Sequence, residues 1–326
     1  MNSNRRRVVA ALGAMALVPF TRANTESSAW PQKQIRLVLP YAAGGPTDVV
    51  ARSMAARMSQ QLGQQIIVDN RVGASGNIAC DVVAKAAPDG YTALYHSSGF
   101  TISPALYKQV PYDPIRDFTP VTQVATIPAV LMVNSQLPIA NIDEFIAYLK
   151  SKGGKASYGS GGVGNITHLG VALLLQAKGL EAIHVPYKGT APAMTDLIGG
   201  RIDFMLDAVS TGLPFIRDKR VLAIALTGEK RLALMPEVPT LNEKTMPGFV
   251  APTWQGILLP ANAPKAIVTR LQAAAADSLK DGALRKQYEP QGVEMQATTP
   301  EQFAGYLKVE TARWAGAVRA AAIEPE

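Results

Sequence analysis

Cysteine is nearly absent from this chain. Cys80 stands alone in 326 residues, so no intramolecular disulfide can form and an oxidising compartment neither helps nor harms the fold. Histidine is almost as scarce: His96, His168 and His184 are scattered, with no H-E-x-x-H and no cysteine pair, which leaves a zinc site without ligands at the required spacing. Neither Ser75 nor Ser160 lies in a G-x-S-x-G elbow, and so few histidines leave little to act as a base, so hydrolase chemistry has little to stand on. No internal repeat or low-complexity tract occurs. The apolar run from Val8 to Phe20 is too short to span a bilayer comfortably.

That run nevertheless has a reading. Arg5, Arg6 and Arg7 precede it and Thr21-Arg22-Ala23 follows, so residues 1–23 are expected to be a secretory signal peptide cleaved near Ala23. A retained anchor helix is the alternative, opposed by the polar residues that follow and the lack of a stop-transfer pattern. Asn4-Arg5-Arg6-Arg7-Val8-Val9 partly fits a twin-arginine signal, so the Sec and twin-arginine routes both stay open. No cysteine marks the cleavage point, which argues for a soluble exported protein and against a lipid-anchored one. Cleavage removes four arginines and no acid, taking the formal charge from +7 to +3. The basic balance is therefore partly an export signal, and nucleic acid is not an expected partner. With 48% hydrophobic and 17% charged residues over its 326 residues, the chain can bury a sizeable core, and its length suits two domains.

The most informative stretch is Pro40 to Arg52. It joins an apolar strand, residues 35–39, to a segment whose Val49, Ala56 and Met58 suit a buried helical face, so it reads as strand, glycine turn and helix start. Gly44 and Gly45 let the backbone approach a ligand, Pro46 suits a first helical position, and free amides at a helix start favour a carboxylate or phosphate. A plain tight turn in a parallel sheet is the alternative. The pattern repeats: strand 64–70 enters a glycine loop and a helix carrying Ile78, Val82 and Val83, and strand 91–95 leads to a loop with Ser97, Ser98 and Thr101. In open α/β sheets ligands sit beyond the carboxyl ends of strands, so these loops point to one crevice.

Residues 121–133 read as a long strand leaving the first domain, with the crossing near 127. A second set of units follows: helix 141–152, strand 156–158, the loop 159–165 and a helix, strand 182–187 with Lys188 and Gly189 after it, strand 202–206 ending at Asp207, and strand 221–226. A proline-rich return over 228–253 precedes strand 255–259 and two long helices, 264–281 and 300–321. The expected domains are 30–126 with 251–326, and 127–250.

Gly159, Gly161 and Gly164 spell G-x-G-x-x-G, yet the acid expected after the next strand is replaced by Tyr187-Lys188, so a dinucleotide has nothing to hold its ribose. What survives is a second amide-lined helix start. Asp48 either complements its helix dipole and pairs with Arg52, or faces the crevice and holds a donor or water. Lys188 offers charge to an acidic ligand or is solvated surface, Asp207 offers an acceptor to a hydroxyl or amine or caps a loop, and His168 either reaches a ligand or caps its helix. His184, inside an apolar strand, reads as a packed core residue.

Four linked motifs carry a resemblance: Pro40-Tyr41-x-x-Gly44-Gly45-x-x-Asp48-x-x-Ala51-Arg52; Asn70-Arg71-x-Gly73-Ala74-x-Gly76; Tyr158-Gly159-Ser160-x-Gly162-x-Gly164; and His184-Val185-Pro186-Tyr187-Lys188-Gly189-x-x-Pro192-Ala193 with Asp196-Leu197-x-Gly199-Gly200. In this order, over essentially the whole mature chain, they resemble the Bordetella uptake gene family, the solute-binding proteins of tripartite tricarboxylate transporters. The resemblance implies an α/β fold of the periplasmic binding protein type II kind, two domains with mostly parallel sheets around a cleft. It implies capture of a small organic carboxylate without cofactor or catalysis, membrane permease subunits as partner, and a monomer. Tyr41, Gly44, Gly45 and Asp48 would lie on one side of the ligand, and Ser160, Gly161, Gly164, Thr167 and His168 on the other. Ser75, Cys80 and the loop Ser97-Ser98-Gly99-Phe100 depart from the usual pattern and put the identity of the ligand in question. A secreted enzyme of the same shape, or the binding component of a sensor, are the competing readings.

Overall fold

The structure, a computed structural model, describes residues 30–320 apart from 42, 45, 74, 75, 188 and 281, together with 323–325; of Pro46 and Ala320 it describes the backbone alone. The expected signal peptide, Gly45, Ser75 and Lys188 lie outside the described residues. The chain runs β1 (Ile35–Leu39), α1 (Pro46–Leu62), β2 (Ile66–Asn70), α2 (Asn77–Ala84), β3 (Thr92–Ser97), α3 (Gly99–Leu106), β4 (Phe118–Ile127), β5 (Ala129–Asn134), α4 (Ile142–Lys152), β6 (Ser157–Ser160) and α5 (Ile166–Lys178). It continues with β7 (Ile183–Pro186), α6 (Thr190–Ile198), β8 (Phe204–Ala208), α7 (Val209–Arg217), β9 (Val221–Leu226), α8 (Leu241–Lys244), β10 (Thr253–Pro260), α9 (Lys265–Asp277), α10 (Ala283–Tyr288), β11 (Glu294–Met295) and α11 (Pro300–Ala320).

The strands form two sheets, ordered β11-β4-β10-β3-β1-β2 and β7-β6-β8-β5-β9. Each is covered on both faces, and the two-residue period of a strand divides its side chains between them. In β1, Leu37 and Leu39 pack with Met54 of α1 and Leu271 of α9, while Val38 turns to Phe100, Trp254 and Phe303. In β5, Leu131 and Val133 join Phe145 and Leu174, and Val130 and Met132 join Met194 and Leu213. An apolar cluster containing Leu106 of α3, Leu169 of α5 and Trp314 of α11 lies where the two sheets' helices meet.

Four expectations need correction. Strand pairing is mixed rather than mostly parallel: among the described residues four pairings are parallel and five antiparallel. The reason is the return strand β10, which inserts between β3 and β4 against both, and β5, which runs against β8 and β9. The single strand expected over 121–133 is two, divided at Pro128, whose ring cannot donate to a ladder. Helix α1 buries Val50, Ala51, Met54, Ala55, Met58 and Leu62, and leaves Val49 and Ala56 exposed, because the helical period selects positions 51, 54, 55, 58 and 62. Finally, α3 is a helix where the sequence suggests a loop; it carries an internal proline, Pro104, the residue that ordinarily argues against a helix.

Candidate ligand-binding site

The strand registers bring the loops of both sheets to one level. Ser97, at the carboxyl end of β3, pairs with Gln255; Thr253 pairs with Ile127 at the end of β4; and Ala208, at the carboxyl end of β8, pairs with Ala129 at the start of β5. The ends of strands from both sheets therefore meet where the chain passes between the sheets. The approach is close. Gly164, in the loop between β6 and α5, has φ 72°, and a Cβ placed on it would lie 2.2 Å from Leu106 Cδ1 at the end of α3.

On the first-sheet side, Asp48 is 1% exposed and commits its carboxylate to its own loop. Oδ2 accepts from the Gly44 amide at 2.9 Å and from Arg52 Nε at 2.8 Å, and Oδ1 accepts from Asn70 Nδ2 at 2.8 Å. Burial pushes this carboxyl up, but the bonds from Arg52, Asn70 and Gly44 outweigh it and hold it below the usual carboxylate range. The Gly44 amide, expected to meet a ligand, already has an acceptor, and Asp48 organises the loop rather than facing outward. Arg52 is half exposed, so Arg52→Ala is expected to cost less than about 1 kcal/mol in urea unfolding. The hydrogen bonds from Gly44 and Asn70 remain to hold Asp48.

Tyr41 is half-buried, its hydroxyl bonded to Ser97 Oγ, and burial pushes its pKa up to about 12. Ser98 and Thr101 are not where a ligand could touch them. Both are fully buried, Ser98 Oγ accepts from the Trp254 amide at 3.2 Å, and Thr101 Oγ1 donates to Ser98 O at 3.1 Å. The cause is α3, which turns Phe100 into the core and takes these hydroxyls with it.

On the second-sheet side the same pattern holds. The Gly161 amide donates to Thr167 Oγ1 at 2.9 Å, the Gly162 amide to Ser160 Oγ at 3.1 Å and the Gly164 amide to His168 Nδ1 at 3.1 Å. Leaving such amides unpaired is costly, so the loop carries its own acceptors. Asn165 caps α5 through the Thr167 amide at 3.1 Å. Sequence reasoning reads His184 as a packed core residue, but it is only half-buried, on a strand with no fully buried position. It stands opposite Tyr158 in the β6–β7 register, its ring lies 3.9 Å from that of His168 at an interplanar angle of 3°, and its Nε2 is 2.6 Å from Ser160 Oγ. Only the pairing of two distant strands reveals this. Gly189 precedes α6 with no side-chain cap, and Asp207 lies in a cavity between α6 and α7.

Burial lowers His168 to about 4, with the neighbouring His184 adding to the effect, and lowers the fully buried His96 to about 3. Both rings are neutral in the fold. The stability they contribute is complete above an ordinary histidine pKa of about 6.5 and is lost as pH falls towards 4. Thermal unfolding at pH 7 and pH 4.5 is expected to differ less in His168→Gln than in wild type.

Residues 50–323 match the family described as the tripartite tricarboxylate transporter family receptor. The chain belongs to that family. A protein from the tcbD-tcbE intergenic region of Pseudomonas sp. strain P51 is 38% identical over 314 residues, 96% of this chain and 93% of that protein. Among solved structures, R. palustris Rpa4515 with adipate superposes with a TM-score of 0.82 at 34% identity, covering 91% of this chain and all of that one. The periplasmic binding protein BugD gives 0.80 at 35%, over 91% and 100%. The two-domain α/β fold of the periplasmic binding proteins and the Bordetella uptake gene resemblance are thus both met in this receptor-family chain.

Proposed function

We propose that this protein captures a small organic carboxylate in the periplasm between two lobes, 30–126 with 251–326 and 127–250, and delivers it to the membrane subunits of a tripartite tricarboxylate transporter. The observation that carries the reading is the approach of the Gly164 loop to Leu106, which sets the entrance of α5 against the first sheet's loops. The internal bonds suggest how a ligand enters. Thr167 Oγ1 and His168 Nδ1 are neutral acceptors, and a carboxylate makes stronger, charge-assisted bonds to the same amides, so it exchanges for them at the positive end of α5. Asp48 is itself a carboxylate with three donors and stays in place. Tyr41 and Ser97 supply hydroxyls, the fully buried Ser160 holds the loop through the Gly162 amide, and a ligand touching both lobes favours the closed arrangement.

The test is a thermal-shift screen of ligand-stripped protein against a carboxylate panel that includes adipate, which accompanies the R. palustris relative. A ligand at one hundred times its Kd stabilises the native state by about 2.7 kcal/mol, which such a screen detects. No shift with any di- or tricarboxylate, or turnover of one of them, sinks the proposal.

A further inference from the structure

Between α6 and α7 lies a cavity of about 440 Å³ with no lining residue from the first sheet or its helices. Its volume falls within the range of small-molecule sites, roughly 300–1,000 Å³. It is lined from Thr190 to Ile198, the first and last residues of α6, so it runs the length of that helix, about 12 Å at 1.5 Å per residue. Its two ends differ in charge. Both helices begin at the crevice end, where Asp207 is 5% exposed and accepts the Ala208 amide at 2.8 Å. The far end holds Arg220, just before β9, whose guanidinium lies 5.8 Å from the Phe215 ring and has no carboxylate partner among the described residues. Met194, Ile198 and Phe215 supply an apolar wall between them.

We propose that this groove is a second ligand site, within one lobe, for an amphipathic carboxylate: an acid group on Arg220, an apolar body along α6, and a hydroxyl or amine donating to Asp207. A guanidinium facing solvent across an apolar wall binds a carboxylate with paired, charge-assisted N–H donors, and a neutral ligand forms only weaker bonds to them. Asp207, an acceptor flanked by two helix starts, selects for a donor and against a second acid at that end. Because every contact comes from the second sheet and its helices, binding here needs no movement of the lobes.

The probe is 3-(4-hydroxyphenyl)propanoate, with 3-phenylpropanoate lacking the donor, titrated calorimetrically into the folded protein. Wild type is expected to bind the first, and to bind the second at least fivefold more weakly. Arg220→Gln should weaken the first at least tenfold while leaving the adipate-dependent thermal shift unchanged. Thr195→Leu, which narrows the groove at an exposed helix position, should weaken it as well. Absence of binding by wild type, equal affinity in Arg220→Gln, or loss of probe binding in a Gly164 variant with full binding in Arg220→Gln would each overturn the second site. Those outcomes leave the adipate result, and with it the interlobe reading, to stand or fall separately.

Discussion

Gly164→Val is expected to abolish the carboxylate-dependent rise in melting temperature and to lower the stability of the unliganded protein by about 2–3 kcal/mol. Two costs combine. The backbone holds φ at 72°, which a β-branched residue adopts only with strain, and the new Cβ meets Leu106 Cδ1 at 2.2 Å. The second cost carries the functional consequence, because the buried Leu106 must turn its side chain aside or the loop must lift away, and either disturbs the packing that sets the α5 entrance against its opposite wall. Gly179 supplies the control. It has φ 60° and nothing within 4 Å of where a Cβ would stand, so Gly179→Ala incurs backbone strain alone. Urea unfolding with and without ligand distinguishes them: the Gly179 variant should lose about 1 kcal/mol and keep its full ligand shift. A Gly164 variant that retained the shift would remove this loop from the site.

The second large effect is a gain. Asp207→Asn is expected to stabilise the protein at pH 7.5 by on the order of 2–3 kcal/mol. Burial raises the Asp207 carboxyl to about 6, against which the neighbouring hydroxyls and the Ala208 amide work only in part. A raised acid favours folding in its protonated form, so its stabilising contribution is complete below about 4 and is lost as pH rises through 6. The variant therefore gains at neutral pH and nothing near pH 3.5. Comparing the two proteins at both pH values isolates this group from His96 and His168, whose contributions run in the opposite direction. Equal stability at pH 7.5 would mean that the carboxylate is better solvated than its surroundings imply. A protein that keeps so destabilising a group gains something by it, and the groove beside α6 is where that advantage is sought.

Much of this was legible beforehand, and the failures have physical causes. Strand β9 matches its expected range residue for residue, since an apolar β-rich hexapeptide between charged and polar neighbours allows little else. The order of motifs placed the two glycine loops correctly. What one-dimensional reasoning could not reach is occupancy: Gly44, Gly161 and Gly164 were expected to offer free amides, and each is already bonded to a side chain a few residues on. Proline hides α3, and with α3 hidden Ser98 and Thr101 look like loop hydroxyls rather than core ones. His184 needed the register of β6 on β7, a property of two segments more than twenty residues apart. Asp207 was placed correctly at its strand end, but which side of α6 it looks towards is decided by the packing of α7.

The position of β10 has a consequence for assembly. This strand occupies the middle of the first sheet, between β4 and β3, yet it is contributed by residues 253–260. The second sheet has all its strands by residue 226. In a chain produced from its amino end, the later-numbered sheet therefore has every strand while the earlier one is still two separated fragments, with the flanks of β3 and β4 open to other chains. The expected order of closure is thus the reverse of chain order, and in the interval the open flanks are what a holding chaperone would have to cover.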